Sequence, residues 1–259
     1  MSQLILVSRQ GGVVSLVLPA DAVRGTLTGA LAEEVGAALA DPEVTRIQVV
    51  AALDDRRARR ALHRTGFRLE GVHRSARLVA DALVDEATYA VVRGDLLGGA
   101  EGFTAVMNSV LPRKRVIAHV LLTDTAGRVC LVDTVFKDDW ELPGGIVDPF
   151  ESPKQGASRE LMEELSLDAT PGRLLVVDWL GPYLGWEDAL ELIFDGGTLT
   201  PDQAAALRPD ASEIAGIHWL EIDEAAGRMA PFAAGRLLAA VAARRDGDTA
   251  YLERGERRD

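Results

Sequence analysis

The segment GIVDPFESPKQGASRELMEELSL, residues 145–167, concentrates five carboxylates and a guanidinium in one short stretch. Arg159, Glu160, Glu163 and Glu164 fall within about one and a half turns of an expected helix. Glu151 stands just before that helix, and the pair Gly144-Gly145 stands before Glu151. Dense carboxylates beside a glycine turn suit a hard cation, because Mg²⁺ prefers oxygen ligands and completes its shell with water and substrate phosphate. The chemistry this points to is an attack on a phosphate ester or anhydride.

The helix that would position these groups is legible. Ser152 is a good N-cap, and Pro153 then falls at the first helical position, where its missing N–H costs nothing. Residues 160, 163 and 164 are three and four apart and share a face. Leu161 and Leu165 form the opposing apolar stripe, extended by Ala157 and Met162. Arg159 lies four residues before Glu163 and can hold it by a charge-assisted bond. The competing reading is a solvated acidic face with helical ion pairs; the spacing to the glycines weighs against it.

That spacing is similar to the signature of the Nudix hydrolase family, G-x5-E-x7-R-E-U-x-E-E-x-G-U with U aliphatic. Gly145, Glu151, Arg159, Glu160, Leu161, Glu163, Glu164 and Leu167 all fall in register. Ser166 stands where the family has Gly, a departure that touches helix termination and not metal ligation. The strands on either side and WELPGG before the segment fit a Nudix domain from about residue 102 to 245. The resemblance implies an α/β/α sandwich with a mixed sheet. It also implies Mg²⁺- or Mn²⁺-dependent hydrolysis of a nucleoside diphosphate linked to another group. By that likeness Glu160, Glu163 and Glu164 ligate the metals, Gly145 offers its carbonyl, Arg159 orients the carboxylates and Glu151 braces the loop. Glu163, Arg159 and Glu151 are thus the expected catalytic residues.

The general base is not fixed by the signature. Glu187, Glu191 and Glu213 are candidates, with Glu213, just before the last strand, preferred. In the segment DWLGPYLGWED, Pro182 lies fifteen residues past Leu167 and resembles a marker of the ADP-ribose branch of the family. A Gly-Pro pair is also an ordinary turn. Trp179, Tyr183 and Trp186 could stack on a base.

The elements before this region form another group. Strands are expected at residues 4–7 and 13–18, joined at Gly11-Gly12, then a helix over 27–40, a strand over 46–51, a helix over 54–65 and strands over 67–78 and 88–92. The glycine-rich stretch GDLLGGAEG marks a boundary, giving domains over 1–95 and 102–259. The first domain resembles the second half of a GNAT-type N-acetyltransferase, through Arg24-Gly25, the second helix and GFRLEG at 66–71. The resemblance implies an α/β half-domain. The family's acceptor-site elements are missing and the cofactor turn is short, so a truncated, non-catalytic domain is expected. Beyond residue 102, strands are expected over 116–123, 129–136, 140–142, 174–180, 189–194 and 214–220, with helices over 152–165 and 232–244. The tail YLERGERRD reads as charged and frayed. The fold class is α+β.

Composition sets outer limits. The formal charge is −12, a poor footing for gripping long nucleic acid, so no nucleic-acid partner is expected. Residues 1–94 carry 12 arginines against 11 acidic residues, while the remainder carries 16 basic against 29 acidic. No apolar run approaches the roughly 18 residues of a membrane span, and MSQLILVSRQGG lacks the form of a secretory signal. A lone Cys130 leaves no internal disulfide framework. A cytoplasmic enzyme acting on a small nucleotide, as monomer or homodimer, is the expectation. Alternatives are a bifunctional protein that still binds acetyl-CoA, and a non-catalytic sensor of a nucleotide ligand.

Overall fold

The computed structural model describes residues 5–19 and 26–258. They form two compact units, Met1–Pro112 and Arg113–Asp259.

The first unit has the expected β-β-α-β-α-β-β order, followed by a further helix. Its strands are β1 (Ile5–Gln10), β2 (Val13–Val17), β3 (Arg46–Ala52), β4 (Arg68–Val79) and β5 (Ala82–Val92), in the sheet order β1-β2-β3-β5-β4. The connection from β2 to its parallel neighbour β3 runs through helix α1 (Thr26–Ala40). Helix α2 (Arg56–Arg64) is capped by the Asp55 carboxylate, which accepts from the backbone N–H of Arg57 and Ala58 at 3.0 Å. Leu31, Ile47, Leu62, Phe67 and Tyr89 form its core and are buried. The turn at Arg24-Gly25 and the start of the expected first strand at Leu4 lie outside the described residues. Helix α3 (Gly99–Val110) occupies part of the stretch read from sequence as a glycine-rich boundary. Its face Phe103, Val106, Met107, Val110 has helical spacing, a signal masked by the glycines around it.

The second unit is built on a mixed sheet in the order β11-β7-β6-β10-β9-β12-β13, with β8 paired to β6. Its central strands are β6 (Arg115–Asp124), β7 (Val129–Thr134), β9 (Leu174–Leu180), β10 (Ala189–Leu199) and β11 (Ile214–Leu220). Strands β6 and β10 run parallel. The alternation of β6 divides its side chains between two cores. Ala118, Val120 and Leu122 pack with Ala157, Leu161 and Leu165 of helix α4 (Pro153–Leu165). Leu121 packs on the other face with Leu237 and Ala240 of helix α7 (Pro231–Asp246). A helix on each face of a mixed sheet is the expected α+β sandwich. The short helices α5 (Pro201–Ala206) and α6 (Ile222–Arg228) complete the two layers.

Three local expectations are corrected. The strand expected at 140–142 is a single bridge between Glu141 and Val132; the regular pairing begins later, at β8 (Gly144–Ile146). Proline 143 cannot donate to a ladder, which delays the strand. Met162 is 46% exposed and does not extend the apolar stripe of α4. The charged tail is not frayed: β12 (Ala250–Glu253) runs parallel to β9 and turns into β13 (Glu256–Arg257), with Ala250 and Leu252 buried.

Candidate active site

Helix α4 is fixed at both ends by its own sequence. The Ser152 hydroxyl accepts from the Gln155 N–H at 3.3 Å, and the Gln155 side chain accepts from the Ser152 N–H at 2.9 Å, a complete capping box. At the other end Ser166 adopts the left-handed conformation, φ 54°, where the signature has glycine. The helix therefore stops at the signature's position, with a side chain in a region that glycine enters freely.

The two glycines, expected from sequence as a turn, open strand β8, and they are packed so closely between β6 and helix α4 that side chains are excluded. Gly144 has φ +132°, and a Cβ there would lie 2.2 Å from the Ala118 carbonyl oxygen. A Cβ on Gly145 would lie 2.7 Å from Oε1 of Glu160. Hence Glu160 sits directly over Gly145, and Oε2 of Glu164 accepts from the Gly144 N–H at 2.8 Å.

Arg159 organises the remaining carboxylates. Its Nε and Nη2 donate to the two oxygens of Glu151 at 3.0 and 3.2 Å, a bidentate fork. Its Nη1 donates to Glu160 at 3.0 Å and to Glu163 at 2.8 Å, and Nη2 also donates to the Ile146 carbonyl at 3.0 Å. Glu151 accepts in addition from the Asp148 N–H at 3.0 Å, so it ties the loop before the helix to the arginine. The Arg159 guanidinium and that N–H hold the Glu151 carboxyl below its ordinary range.

The electrostatics are those of crowded acids. Burial pushes Glu160 up, and the like charges of Glu163 and Glu213 push the same way against Arg159. Burial raises Glu164 from 4.5 to about 7, aided by Glu160 and Glu141 and opposed by the Gly144 N–H and by His119. Glu164 is only 6% exposed, whereas the Glu163 side chain is 56% exposed. The three helix carboxylates thus span from the buried start of β8 to the surface. Among the described residues no three acidic, His or Cys side chains stand as a preformed metal cluster. The donor set is nonetheless all oxygen, mutually repelling and backed by two strand glycines with no room for side chains, which fits a hard divalent cation. Glu160, Glu163, Glu164 and the Gly145 carbonyl are the groups that would hold it.

The three glutamates weighed as bases have different surroundings. Glu213 lies near enough to Glu160 to act on its charge. Glu187 is exposed in the β9–β10 loop. Glu191 is buried, bonded to Nδ1 of His119 at 2.8 Å and to Arg236 at 2.6 Å. The same network includes Asp178, 3.4 Å from Arg236. Burial alone would push His119 down and Glu191 up. Glu191 nevertheless raises His119, and Arg236 and His119 lower Glu191, so the network favours the charged forms. Sequence reading assigned no role to His119, Glu141, Asp178 or Arg236. Glu141 alone carried a local signal, its place in WELPGG. Trp140 stacks on His218 at 3.9 Å under Arg228, while Trp186 is exposed beneath Arg115.

Comparisons with known proteins agree with this region. Residues 112–240 match the model of the NUDIX domain. A Bacillus subtilis (strain 168) protein named as a candidate 8-oxo-dGTP diphosphatase is 33% identical over 103 residues, 40% of this chain and 64% of that protein. A MutT-like protein of Streptomyces ambofaciens is 30% identical over 116 residues, 44% of this chain and 69% of that protein. Among solved structures, the MutT protein of Methanosarcina mazei Go1 is 21% identical over 54% of this chain and 99% of its own, with a TM-score of 0.44. Through residues 112–240, and through a relative matched at 30% identity over more than two thirds of its length, the chain belongs to the Nudix family.

Proposed function

We propose that this protein hydrolyses the diphosphate linkage of a nucleoside diphosphate joined to another group, at a site in its second unit, Arg113–Asp259. The observation that carries the reading is the convergence of Glu160, Glu164 and Arg159 on strand β8, at Gly145, Gly144 and Ile146. Nudix hydrolases are in general dependent on a divalent metal, here Mg²⁺ or Mn²⁺. When bound, such ions neutralise a diphosphate, orient it and lower the pKa of a coordinated water. The chain's own groups prepare that arrangement. Glu160, Glu163 and Glu164 with the Gly145 carbonyl supply the ligands, Arg159 keeps Glu160 and Glu163 together, and Glu151 fixes Arg159. Glu213 is the proposed general base, because it is close enough to Glu160 to raise it and is free of the buried network that holds Glu191. A cleft of about 580 Å³ lined by Phe136 and Trp140 lies beside Glu141, and the exposed Trp186 lines another of about 550 Å³. Each offers an aromatic face to a base.

The first relative spans only 64% of its length here, so its named substrate is one member of a panel to test. ADP-ribose, nucleotide sugars, dinucleoside polyphosphates, coenzyme A, nucleoside triphosphates and 8-oxo-dGTP would be incubated with Mg²⁺ and assayed for products of diphosphate cleavage. The expected result is cleavage of at least one, lost on chelation and in Glu164→Gln. Failure across the panel with both Mg²⁺ and Mn²⁺ would overturn the reading. Residues 1–95 are proposed to be a GNAT-like domain without transferase chemistry, a reading that the β-β-α-β-α-β-β order supports. The proposed setting is cytoplasmic and the partner a small nucleotide; among the described residues no helix is long and apolar enough to cross a membrane.

A further inference from the structure

Helix α2, RRARRALHR, places Arg56, Arg59, Arg60 and Arg64 three and four residues apart on one face, with His63 among them. The opposite face, Ala58, Ala61 and Leu62, is buried in the first unit's core. None of these four arginines has an ion pair among the described residues. Like charges at such spacing repel along a helix, so the stripe works against α2. It faces a cleft of about 740 Å³ whose other wall is α3, where Phe103 is 65% exposed and Met107 lies one turn on. The cleft is built, because Leu97 leads into α3 while packed on Gly66: a Cβ there would lie 2.8 Å from Leu97 Cδ2. His63 also lines it, and the buried Nε2 of His63 has no hydrogen-bond partner among the described residues.

We propose that the cleft between α2 and α3 binds a small phosphate-bearing ligand with an apolar or aromatic body, of the nucleotide class. Guanidinium forks match phosphate oxygens in pairs. The volume is that of a small-molecule site. The stripe runs about 12 Å along the helix, long enough to take in a di- or triphosphate and far shorter than a long nucleic-acid backbone. Phe103 and Met107 offer the apolar surface against which the body of such a ligand would lie. The site belongs entirely to the first unit and uses no residue of the proposed hydrolytic centre.

The test is calorimetric titration of ADP into the full chain with chelator present, alongside Arg60→Glu/Arg64→Glu, Phe103→Ala, and inorganic pyrophosphate as the bare anion. Both arginines are exposed, so the reversal leaves the fold intact, which circular dichroism checks. Expected are saturable ADP binding weakened by salt, a loss of about tenfold or more in the charge reversal, a smaller loss in Phe103→Ala, and weaker binding of pyrophosphate. The double variant keeps its metal-dependent hydrolysis, which separates this site from the hydrolytic one. Absence of ADP binding, or equal binding by wild type and the charge reversal, overturns the proposal. So does tighter binding of a single-stranded RNA oligonucleotide than of ADP, which would make the stripe a nucleic-acid surface. Pyrophosphate binding equal to that of ADP removes the apolar part of the assignment.

Discussion

The carboxylate of Glu164 is bonded to the backbone N–H of Gly144 at 2.8 Å, twenty residues earlier in the chain. One acid thereby fixes the start of strand β8 to helix α4 and is itself buried, with a pKa raised to about 7. A carboxyl raised in the folded state favours its neutral form there. Its contribution to stability is full below the unfolded value of 4.5 and is lost as pH rises through about 7. Metal binding has the opposite sign, because a ligand carboxylate must be ionised. Mg²⁺ affinity is therefore expected to fall as pH drops through about 7. Glu164→Gln keeps an acceptor for Gly144 and carries no charge. It should abolish turnover and remove the loss of metal-free stability above pH 7, a gain on the order of 1–3 kcal/mol. Denaturant melts of both proteins at pH on either side of 7, with chelator, decide it. A variant less stable than wild type above that pH contradicts the account.

Gly145 is required for its lack of a side chain, not for its backbone angles. Gly145→Ala puts a methyl 2.7 Å from Glu160 Oε1 and must move the carboxylate. Misplacing a ligand group costs about 10–100-fold in metal affinity or activity. The expected variant folds normally by circular dichroism and loses Mg²⁺ affinity by that factor; unchanged affinity would show that Glu160 is not a ligand.

Arg159 uses both edges of its guanidinium, one on Glu151 and one on Glu160 and Glu163. Lysine retains the charge but cannot span the two. Arg159→Lys is expected to lower kcat by about 10–100-fold with a smaller change in KM, since Glu160 and Glu163 lose their shared anchor. Steady-state kinetics on the substrate found in the panel measures the split.

The sequence made α4 legible because its cap, its apolar stripe and its acid spacing all agree. Ser152, Leu161 and Leu165 behave as their types and positions require. Glu191 and His119 were opaque for the converse reason. They are 72 residues apart, joined only by the parallel pairing of β6 and β10, and no local pattern encodes that register. Helix α3 was hidden by glycines that serve close packing: a Cβ on Gly102 would lie 2.5 Å from the Leu96 carbonyl oxygen. Composition was equally misleading at the C-terminal tail. Its charges lie mostly in the turn and on β13, while Ala250 and Leu252 of β12 alternate inward.

Cys130 is fully buried on β7, and burial raises its thiol from 9.0 to about 12, with Glu164 adding to the effect. The neutral form is favoured in the folded state. This contribution is full below 9.0 and is lost as pH rises through about 12. In native protein Cys130 is expected to resist a thiol reagent at pH 8, and to react only at the rate of opening. Reaction within the mixing time, without denaturant, would show that β7 is not sealed.

The C-terminal hairpin should be a structural element of the second unit, not an appendage. Leu252 is 1% exposed in the core with Leu175 and Val176, and the Gly255 N–H donates to both oxygens of Asp178 at 3.2 and 3.0 Å. Asp178 is itself fully buried beside Arg236. Truncation after Thr249 removes the leucine, worth roughly 1.5–3 kcal/mol of burial. It also strips a buried carboxylate of its N–H donor, which costs roughly another 1–3 kcal/mol. Gly255→Ala tests the same contact more gently. Its φ is +77° and the new Cβ would lie 2.2 Å from the Phe232 carbonyl oxygen, so the turn must shift. Both variants are expected to lower the denaturant midpoint, truncation by more than the point change. Because Asp178, Arg236, Glu191 and His119 form one chain of contacts that ends beside Glu141 and Glu164, activity at low temperature should fall as well. A truncated protein with unaltered midpoint and turnover would show that the β9–β12 pairing contributes nothing to either.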